Sequence, residues 1–172
     1  AEFVDAFLIG DGEELLEKVC LARKGCGSKR EFLEKICRYE GVYVPAFYEF
    51  VYNEDGTVSE IKKLYDNAPD RVKRAVVSDI DKVFFPVENI VPFIDTVHDR
   101  AVVETFRGCT RGCRFCQAGM IYRPVRERSP ETITRIADEQ LRNTGHDELS
   151  LLSLSTSDYS RFEPLAMGLM SM

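Results

Sequence analysis

The feature that most constrains this chain is a short segment in which three cysteines fall within eight residues. Cys109, Cys113 and Cys116 follow one another at the spacing Cys-x3-Cys-x2-Cys. Thiolates are soft, charged ligands that select iron–sulfur clusters, zinc or copper(I). Three thiolates on one loop leave one iron of a cubane [4Fe–4S] cluster without a protein ligand, whereas ferredoxin clusters are closed by four cysteines. The spacing therefore indicates a [4Fe–4S] cluster with one open iron.

Zinc is the alternative metal for these thiolates. Structural zinc sites are closed by four protein ligands, which usually come as two separated pairs. In this chain the third cysteine follows at once, and the sequence has no Cys or His between Cys116 and His146. The spacing favours iron–sulfur chemistry, with a zinc loop as the second interpretation.

This spacing, with Phe115 directly before the last cysteine, resembles the radical S-adenosylmethionine (radical SAM) superfamily. In that superfamily the open iron binds SAM, and the reduced cluster cleaves SAM to a 5′-deoxyadenosyl radical. The cofactors carry this chemistry, while the protein supplies binding and orientation. The resemblance implies that Cys109, Cys113 and Cys116 ligate the cluster. It also implies that the Phe115 backbone lies against the SAM adenine.

A second group of candidate residues follows the next predicted strand. In the superfamily this place often holds a Gly-Gly-Glu motif that binds the SAM amino group, and here Ser and Thr replace the glycines. Hydroxyl and carboxylate oxygens accept hydrogen bonds from an ammonium group. Ser155, Thr156 and Asp158 are therefore the predicted contacts for the amino acid end of SAM. Alternatively, Ser157 or Asp158 caps the helix that is predicted from Ser160 onward.

The elements around the cysteines predict a βαβ unit. Residues 101–106 form a strand that delivers the cysteines at its C-terminal end, where functional loops of β/α barrels lie. Ser129, as N-cap before a proline, starts a helix that Gly145 ends, and 148–155 is the next strand. Strand, helix and strand imply a parallel sheet. We predict the first βαβ units of a partial β/α (radical SAM) barrel, truncated, over 101–172.

The N-terminal part predicts the end of an open α/β layer. Residues 3–9 are a nearly continuous apolar run, typical of a buried parallel strand. A Gly-Asp-Gly-Glu turn then leads into a helix that runs to about Ala22. This resembles the end of the cobalamin-binding-type Rossmann domain of many radical SAM proteins, to which we assign residues 1–65, including a β-hairpin with an Asp-Gly turn. The cobalamin-ligating Asp-x-His-x-x-Gly pattern is absent, so cobalamin is placed on no residue.

Three further cysteines, Cys20, Cys26 and Cys37, belong to this first region. Ser28 is the predicted N-cap of a helix over 28–39. Cys20 and Cys37 fit apolar helix faces, and free cysteine is among the most buried residue types. We predict structural cysteines, with ligation of a second cluster as the alternative.

Residues 66–100 predict a connector, because prolines interrupt them and no helical period persists. A similar proline-bearing strap precedes the barrel in cobalamin-type radical SAM proteins. The chain begins without Met, and the part after residue 101 is shorter than the ~200 residues of a full barrel. We expect a piece of a larger protein that is poorly soluble or catalytically weak alone.

Composition and charge limit the partners. The chain is 44% hydrophobic and 30% charged, which fits a globular protein, and no apolar run approaches the ~20 residues that span a bilayer. The net charge is −6, but the segment 107–128 holds six arginines and one acid. Such a cluster can bind phosphates, although we favour arginines that offset the thiolates and the SAM carboxylate. Membrane and nucleic-acid partners are therefore not favoured.

The sequence thus predicts an oxygen-sensitive radical SAM enzyme, or a fragment of one, in a reducing cytoplasm. The resemblance implies a flavodoxin- or ferredoxin-type reductant and leaves the substrate unknown. Methyl transfer, methylthiolation and rearrangement all occur in the superfamily. Two alternatives remain: a zinc-binding structural or nucleic-acid module, and an electron-transfer protein whose closed cluster takes Cys37 or His98 as fourth ligand.

Overall fold

The computed structural model describes residues 3–94 and 96–172. The chain divides into two compact units, Ala1–Val77 and Ser78–Met172, and each unit has its own hydrophobic core. The stretch 66–100, predicted as a connector, is shared between them. Among the described residues, no helix is both long and apolar enough to cross a membrane.

The helices and strands of each unit follow in chain order. The first unit contains β1 (Phe7–Leu8), α1 (Glu13–Lys24), α2 (Lys29–Ile36), β2 (Val42–Tyr43), β3 (Tyr48–Tyr52) and β4 (Val58–Lys63). The second unit contains β5 (Ala101–Glu104), β6 (Phe106–Arg107), α3 (Ala118–Ile121), β7 (Arg126–Glu127), α4 (Pro130–Thr144), β8 (Leu149–Leu152) and α5 (Phe162–Met170).

The two predicted helices of the first unit are present, and the second has the predicted N-cap. The Ser28 side chain accepts a hydrogen bond from the Glu31 backbone N–H at 3.1 Å. The Glu31 carboxylate in turn accepts one from Gly27 N–H at 2.9 Å, so two free donors at the start of α2 are satisfied. Both helices bury one apolar side in a common core that includes Leu15 and Ile36. These two predicted helices are confirmed.

The buried parallel strand predicted over residues 3–9 is wrong. Only Phe7–Leu8 is strand; it is exposed, and it pairs antiparallel with Val42–Tyr43. The one parallel contact here is an isolated bridge between Gly10 and Ala75. An apolar run predicts extended backbone but not its pairing direction, which depends on the chain that returns beside it. The Rossmann-like assignment of this region is therefore not confirmed.

The predicted hairpin with the Asp-Gly turn is confirmed. β3 and β4 pair antiparallel, with a register shift between Val51 and Tyr52. In the turn, Asp55 accepts hydrogen bonds from the Thr57 N–H at 2.9 Å and from its hydroxyl at 2.6 Å. These bonds lower the pKa of the Asp55 carboxyl, because they favour its charged form.

The second unit contains the predicted βαβ arrangement. β5 and β8 pair parallel, with Ala101 opposite Leu149, and α4 lies between them in the chain. Ser129 caps α4 by accepting from Thr132 N–H at 3.2 Å, and Gly145 ends it in the left-handed conformation. Ile133 and other buried side chains of α4 pack on the strands. The mixed α/β class is confirmed, while closure into a barrel stays a prediction.

Part of the predicted connector packs on α4 without forming a helix or strand. The Gln140 amide donates to the Pro86 carbonyl at 3.1 Å. The Ser129 N–H, at the start of α4, donates to the Asp81 carboxylate at 2.9 Å. Residues 78–87 therefore act as a strap that is fastened to the helix of the βαβ unit by polar contacts.

Candidate metal centre

The cysteine loop, residues 108–117, lies between β6 and α3 and contains no helix or strand. Gly108 opens it with a φ of +89°, which favours glycine. A Cβ on Gly108 would lie 2.9 Å from the carbonyl oxygens of both Tyr122 and Pro124. Only glycine therefore lets the loop leave β6 this close to the backbone that follows α3.

The three loop cysteines are free thiols that solvent can reach. Cys113 is exposed, while Cys109 and Cys116 are half-buried. The Arg111 N–H lies 3.4 Å from the Cys109 sulfur, and the Cys116 N–H donates to the Cys113 carbonyl at 3.0 Å. Donor type and access both fit an iron–sulfur cluster, which needs deprotonated, reachable thiols.

These thiols are not gathered as a finished ligand set. Within residues 3–94 and 96–172, no group of three or more Cys, His, Asp or Glu side chains is placed to hold a metal ion. The sulfur atoms would have to turn toward a common point. Because the loop has no helix or strand, this movement would break no regular hydrogen bonding.

One ion pair joins the cysteine loop to the turn after β8. Arg111 Nε donates to Asp158 Oδ2 at 2.6 Å, and a second guanidinium nitrogen of Arg111 contacts Oδ1. The Ser155 hydroxyl also donates to Oδ2, at 2.7 Å. Arg111 first, and Ser155 second, lower the pKa of the Asp158 carboxyl by stabilising its anion.

The structure thus brings part of the predicted SAM set beside the cysteines. Ser155 and Asp158 are linked to the loop through Arg111. The Thr156 hydroxyl instead lies 3.0 Å from that of Ser153. The Phe115 side chain is 92% exposed, and its predicted role concerned only the backbone.

Capping of the last helix by Ser157 or Asp158 is wrong. α5 begins at Phe162, and its N-cap, Arg161, makes no side-chain capping bond. Asp158 is too early in the chain to reach the free N–H groups of α5, and its carboxylate is already engaged by Arg111.

A buried charge network holds both ends of the segment that contains the loop. Glu104 Oε1 lies 2.8 Å from Arg107 Nε, and its Oε2 lies 3.2 Å from a terminal nitrogen of Arg128. Arg128 is only 1% exposed; its guanidinium contacts the Ile80 carbonyl and lies 5.1 Å from the Phe85 ring centre. No sequence pattern predicted this network, although a lone acid in an apolar strand was a signal for it.

Half of the arginines in the segment 107–128 are paired with carboxylates of this chain. Three of its six arginines bind carboxylates of this chain: Arg107 and Arg128 bind Glu104, and Arg111 binds Asp158. These carboxylates, more than the thiolates, offset the positive charge. A surface for nucleic acid is correspondingly weaker than the sequence alone indicates.

The remaining cysteines have different surroundings. Cys26 and Cys37 are buried, and their thiols lie 3.2 Å and 3.3 Å from the carbonyls of Ala22 and Glu34. Burial raises the pKa of the Cys37 thiol. The burial predicted for Cys37 is confirmed, whereas Cys20 is exposed, so its assignment to an apolar helix face is wrong.

The second unit is thus a mixed α/β unit in which a cysteine loop follows β6, just beyond the parallel β5–β8 pair. Comparison with known families narrows the class of protein. Residues 103–172 match the family model for the radical SAM superfamily, and residues 1–45 match that for the N-terminal region of radical SAM proteins. The chain belongs to the radical SAM superfamily. Neither description mentions cobalamin, so a cobalamin-type first domain stays a prediction.

Two curated relatives match most of the chain. One is an uncharacterized protein of Methanocaldococcus jannaschii, 27% identical over 161 residues, which covers 92% of this chain and 29% of that protein. Another is the ribosomal protein uS12 methylthiotransferase RimO of Prochlorococcus marinus, 26% identical over 152 residues, which covers 87% of this chain and 30% of that protein. The chain thus spans about three-tenths of these relatives. No solved structure matches it.

Proposed function

We propose that this chain supplies the cluster-binding part of a radical SAM enzyme. Cys109, Cys113 and Cys116 each bind one iron of a [4Fe–4S] cluster and leave the fourth iron for SAM. The observation that carries the proposal is the placement of three reachable thiols on one loop. This loop follows β6, which comes one residue after β5 of the parallel β5–β8 pair. Functional loops of β/α barrels occupy this position.

When bound, the cluster and SAM supply reductive cleavage of SAM to a 5′-deoxyadenosyl radical. The protein's own residues bind and orient. Gly108 sets the direction in which the loop leaves β6, and the Glu104 network holds the strands on either side of the loop segment. The position of the cysteine loop is thus fixed relative to the strands beside it.

The amino acid end of SAM is assigned to Ser155, Thr156 and Asp158. The Asp158 carboxylate already binds one cationic group, the Arg111 guanidinium, and that contact lowers the pKa of the carboxyl by favouring its anion. An ammonium group is a second cation of suitable charge and donor number. The Phe115 backbone is assigned to the adenine.

The reaction on the substrate is not part of this proposal. The P. marinus relative is named as a methylthiotransferase of ribosomal protein uS12. Methylthiolation is therefore one candidate reaction among several. The electron donor in this proposal is a flavodoxin- or ferredoxin-type protein, since the cluster must be reduced in one-electron steps.

The two alternative functions have less support. A zinc or RNA-binding module gains little from arginines that are already paired with Glu104 and Asp158. A closed electron-transfer cluster would need a fourth ligand. Cys37 is buried against a carbonyl with a raised thiol pKa, which disfavours the thiolate that ligates iron.

Anaerobic reconstitution with iron and sulfide, followed by metal analysis, tests the proposal. We expect about four irons per chain, as a [4Fe–4S] cluster requires, and a brown protein that bleaches in air. One equivalent of zinc in a colourless protein, with no uptake of iron, would overturn the proposal in favour of the zinc module.

A further inference from the structure

The contact between Arg111 and Asp158 has a defined geometry, although the Arg111 side chain is 61% exposed. It is bidentate, and one of its bonds measures 2.6 Å. Two parallel donors on one carboxylate give geometric specificity as well as energy. The Asp158 side chain is only 21% exposed and is held in addition by Ser155 at 2.7 Å. The carboxylate is thus held by two residues, Arg111 and Ser155.

The position of Arg111 in the sequence places this ion pair inside the cysteine loop. Arg111 lies in the three-residue spacer between Cys109 and Cys113. Its partner lies 47 residues later, in the turn after β8. The cysteine loop has no helix or strand of its own, so ordering it costs about 1–2 kcal/mol per residue in backbone entropy. A fixed contact inside the spacer removes part of that freedom.

We propose that Arg111 and Asp158 form a clamp that holds the spacer between the first two cysteines against the turn after β8. Arg111 is a positioning residue: it touches no iron in this scheme and acts only through Asp158. The identity of the group that the loop binds rests on the proposed function. The ordering of the loop by the clamp does not depend on it.

The chain offers a matched control for this clamp. Arg114 lies in the same loop, carries the same charge and is exposed. Its side chain makes no hydrogen bond or ion pair within the part of the chain that the structure describes. Arg114→Ala therefore removes one positive charge near the cysteines without removing a clamp.

The test compares the retention of iron after anaerobic reconstitution with iron and sulfide. A ferrous-iron chelator is added, and the rate of iron loss is followed by the absorbance of the chelate. We expect Arg111→Ala and Asp158→Ala each to lose iron about fivefold faster than wild type, which corresponds to about 1 kcal/mol. Arg114→Ala should match wild type.

The double variant separates a clamp from two independent effects. Because the two residues act through one contact, Arg111→Ala/Asp158→Ala should lose iron no faster than either single variant. Arg111→Lys should lose iron at a rate between those of wild type and Arg111→Ala, since an ammonium keeps the charge but cannot form the bidentate contact. Independent roles would multiply to about 25-fold in the double variant, and this result would overturn the clamp, as would an Arg111→Ala rate equal to that of Arg114→Ala.

Hydrogen exchange of the iron-free protein keeps this test separate from the proposed function. If the wild type takes up no iron, the proposed function has failed, but the clamp is still measurable. Backbone amides of residues 108–117 should then exchange faster in Arg111→Ala than in Arg114→Ala, with the same melting temperature. Equal exchange in the two variants contradicts the clamp.

Discussion

The two compact units differ in how far their cysteines are buried. In the first unit, Cys26 and Cys37 are buried, and their thiols point at backbone carbonyls of the preceding helical turn. In the second unit, the three loop cysteines lie on irregular backbone that solvent reaches. Cysteines therefore belong to the core in one region and are accessible free thiols in the other.

The surroundings of the two groups explain the difference. The first group belongs to a core of apolar side chains that includes Leu33 and Val42. The second group lies between charged contacts, with Glu104 binding two arginines and Asp158 binding Arg111. Burial raises the pKa of the Cys37 thiol, whereas solvent reaches the thiols of the loop. Cysteine chemistry is thus set by what packs around the thiol.

The largest expected effect comes from removing the loop cysteines. Replacing Cys109, Cys113 and Cys116 together by Ala should abolish iron uptake, because no thiolate ligands remain there. Cys26→Ala/Cys37→Ala should keep the wild-type iron content. Metal analysis after anaerobic reconstitution measures both, and iron lost from the second variant instead would reverse the comparison.

The charge network of Glu104, Arg107 and Arg128 should contribute much of the stability of the second unit. Glu104→Ala leaves the buried Arg128 guanidinium without its carboxylate, which should cost about 3 kcal/mol in the free energy of unfolding. Glu148→Ala is the control, since its contact with Arg100 is 3.6 Å long and exposed and is worth less than about 1 kcal/mol. Urea denaturation measures the difference, and equal costs would show that the network is not important for stability.

Alkylation of the native, iron-free protein should separate the two groups by rate. Cys113 should react with iodoacetamide at least about tenfold faster than Cys26 or Cys37, because buried thiols react only after local opening. Peptide mass spectrometry gives the order. Reconstitution with iron should protect the loop thiols alone; labelling of all six at one rate would contradict the described burial.

The smallest effect concerns the dependence of stability on pH. Burial raises the pKa of Cys37 in the folded state, so its contribution to stability is complete below the unfolded thiol pKa of about 8.5 and is lost as pH rises through the folded value. The free energy of unfolding should therefore fall more steeply above about pH 8.5 in wild type than in Cys37→Ala. Identical slopes would mean that the Cys37 thiol is not desolvated.

Local sequence signals predicted the fold where neighbouring residues determine it. Ser28 and Ser129 start helices through their own side chains, and the Asp55 turn closes a hairpin. Pairing between distant segments was not predictable in the same way. The apolar run 3–9 gave no information on the direction of its partner strand, which proved antiparallel.

The candidate site follows the same division. The cysteine spacing predicts a ligand loop because all three donors are close in sequence. The contacts that hold this loop join residues 24 and 47 positions apart, Glu104 with Arg128 and Arg111 with Asp158. No periodic pattern in the sequence marks such pairs. Only the folded chain shows that arginines of the segment 107–128 pair with Glu104 and Asp158.

In the proposed function, three loop thiols hold a [4Fe–4S] cluster with one iron open to SAM. Electron paramagnetic resonance of the reconstituted, dithionite-reduced protein, with and without SAM, tests it most directly. We expect a [4Fe–4S]⁺ signal whose g values shift when SAM is added, because a new ligand reaches the open iron. A cluster signal that SAM leaves unchanged would contradict the open iron and would indicate a closed electron-transfer centre.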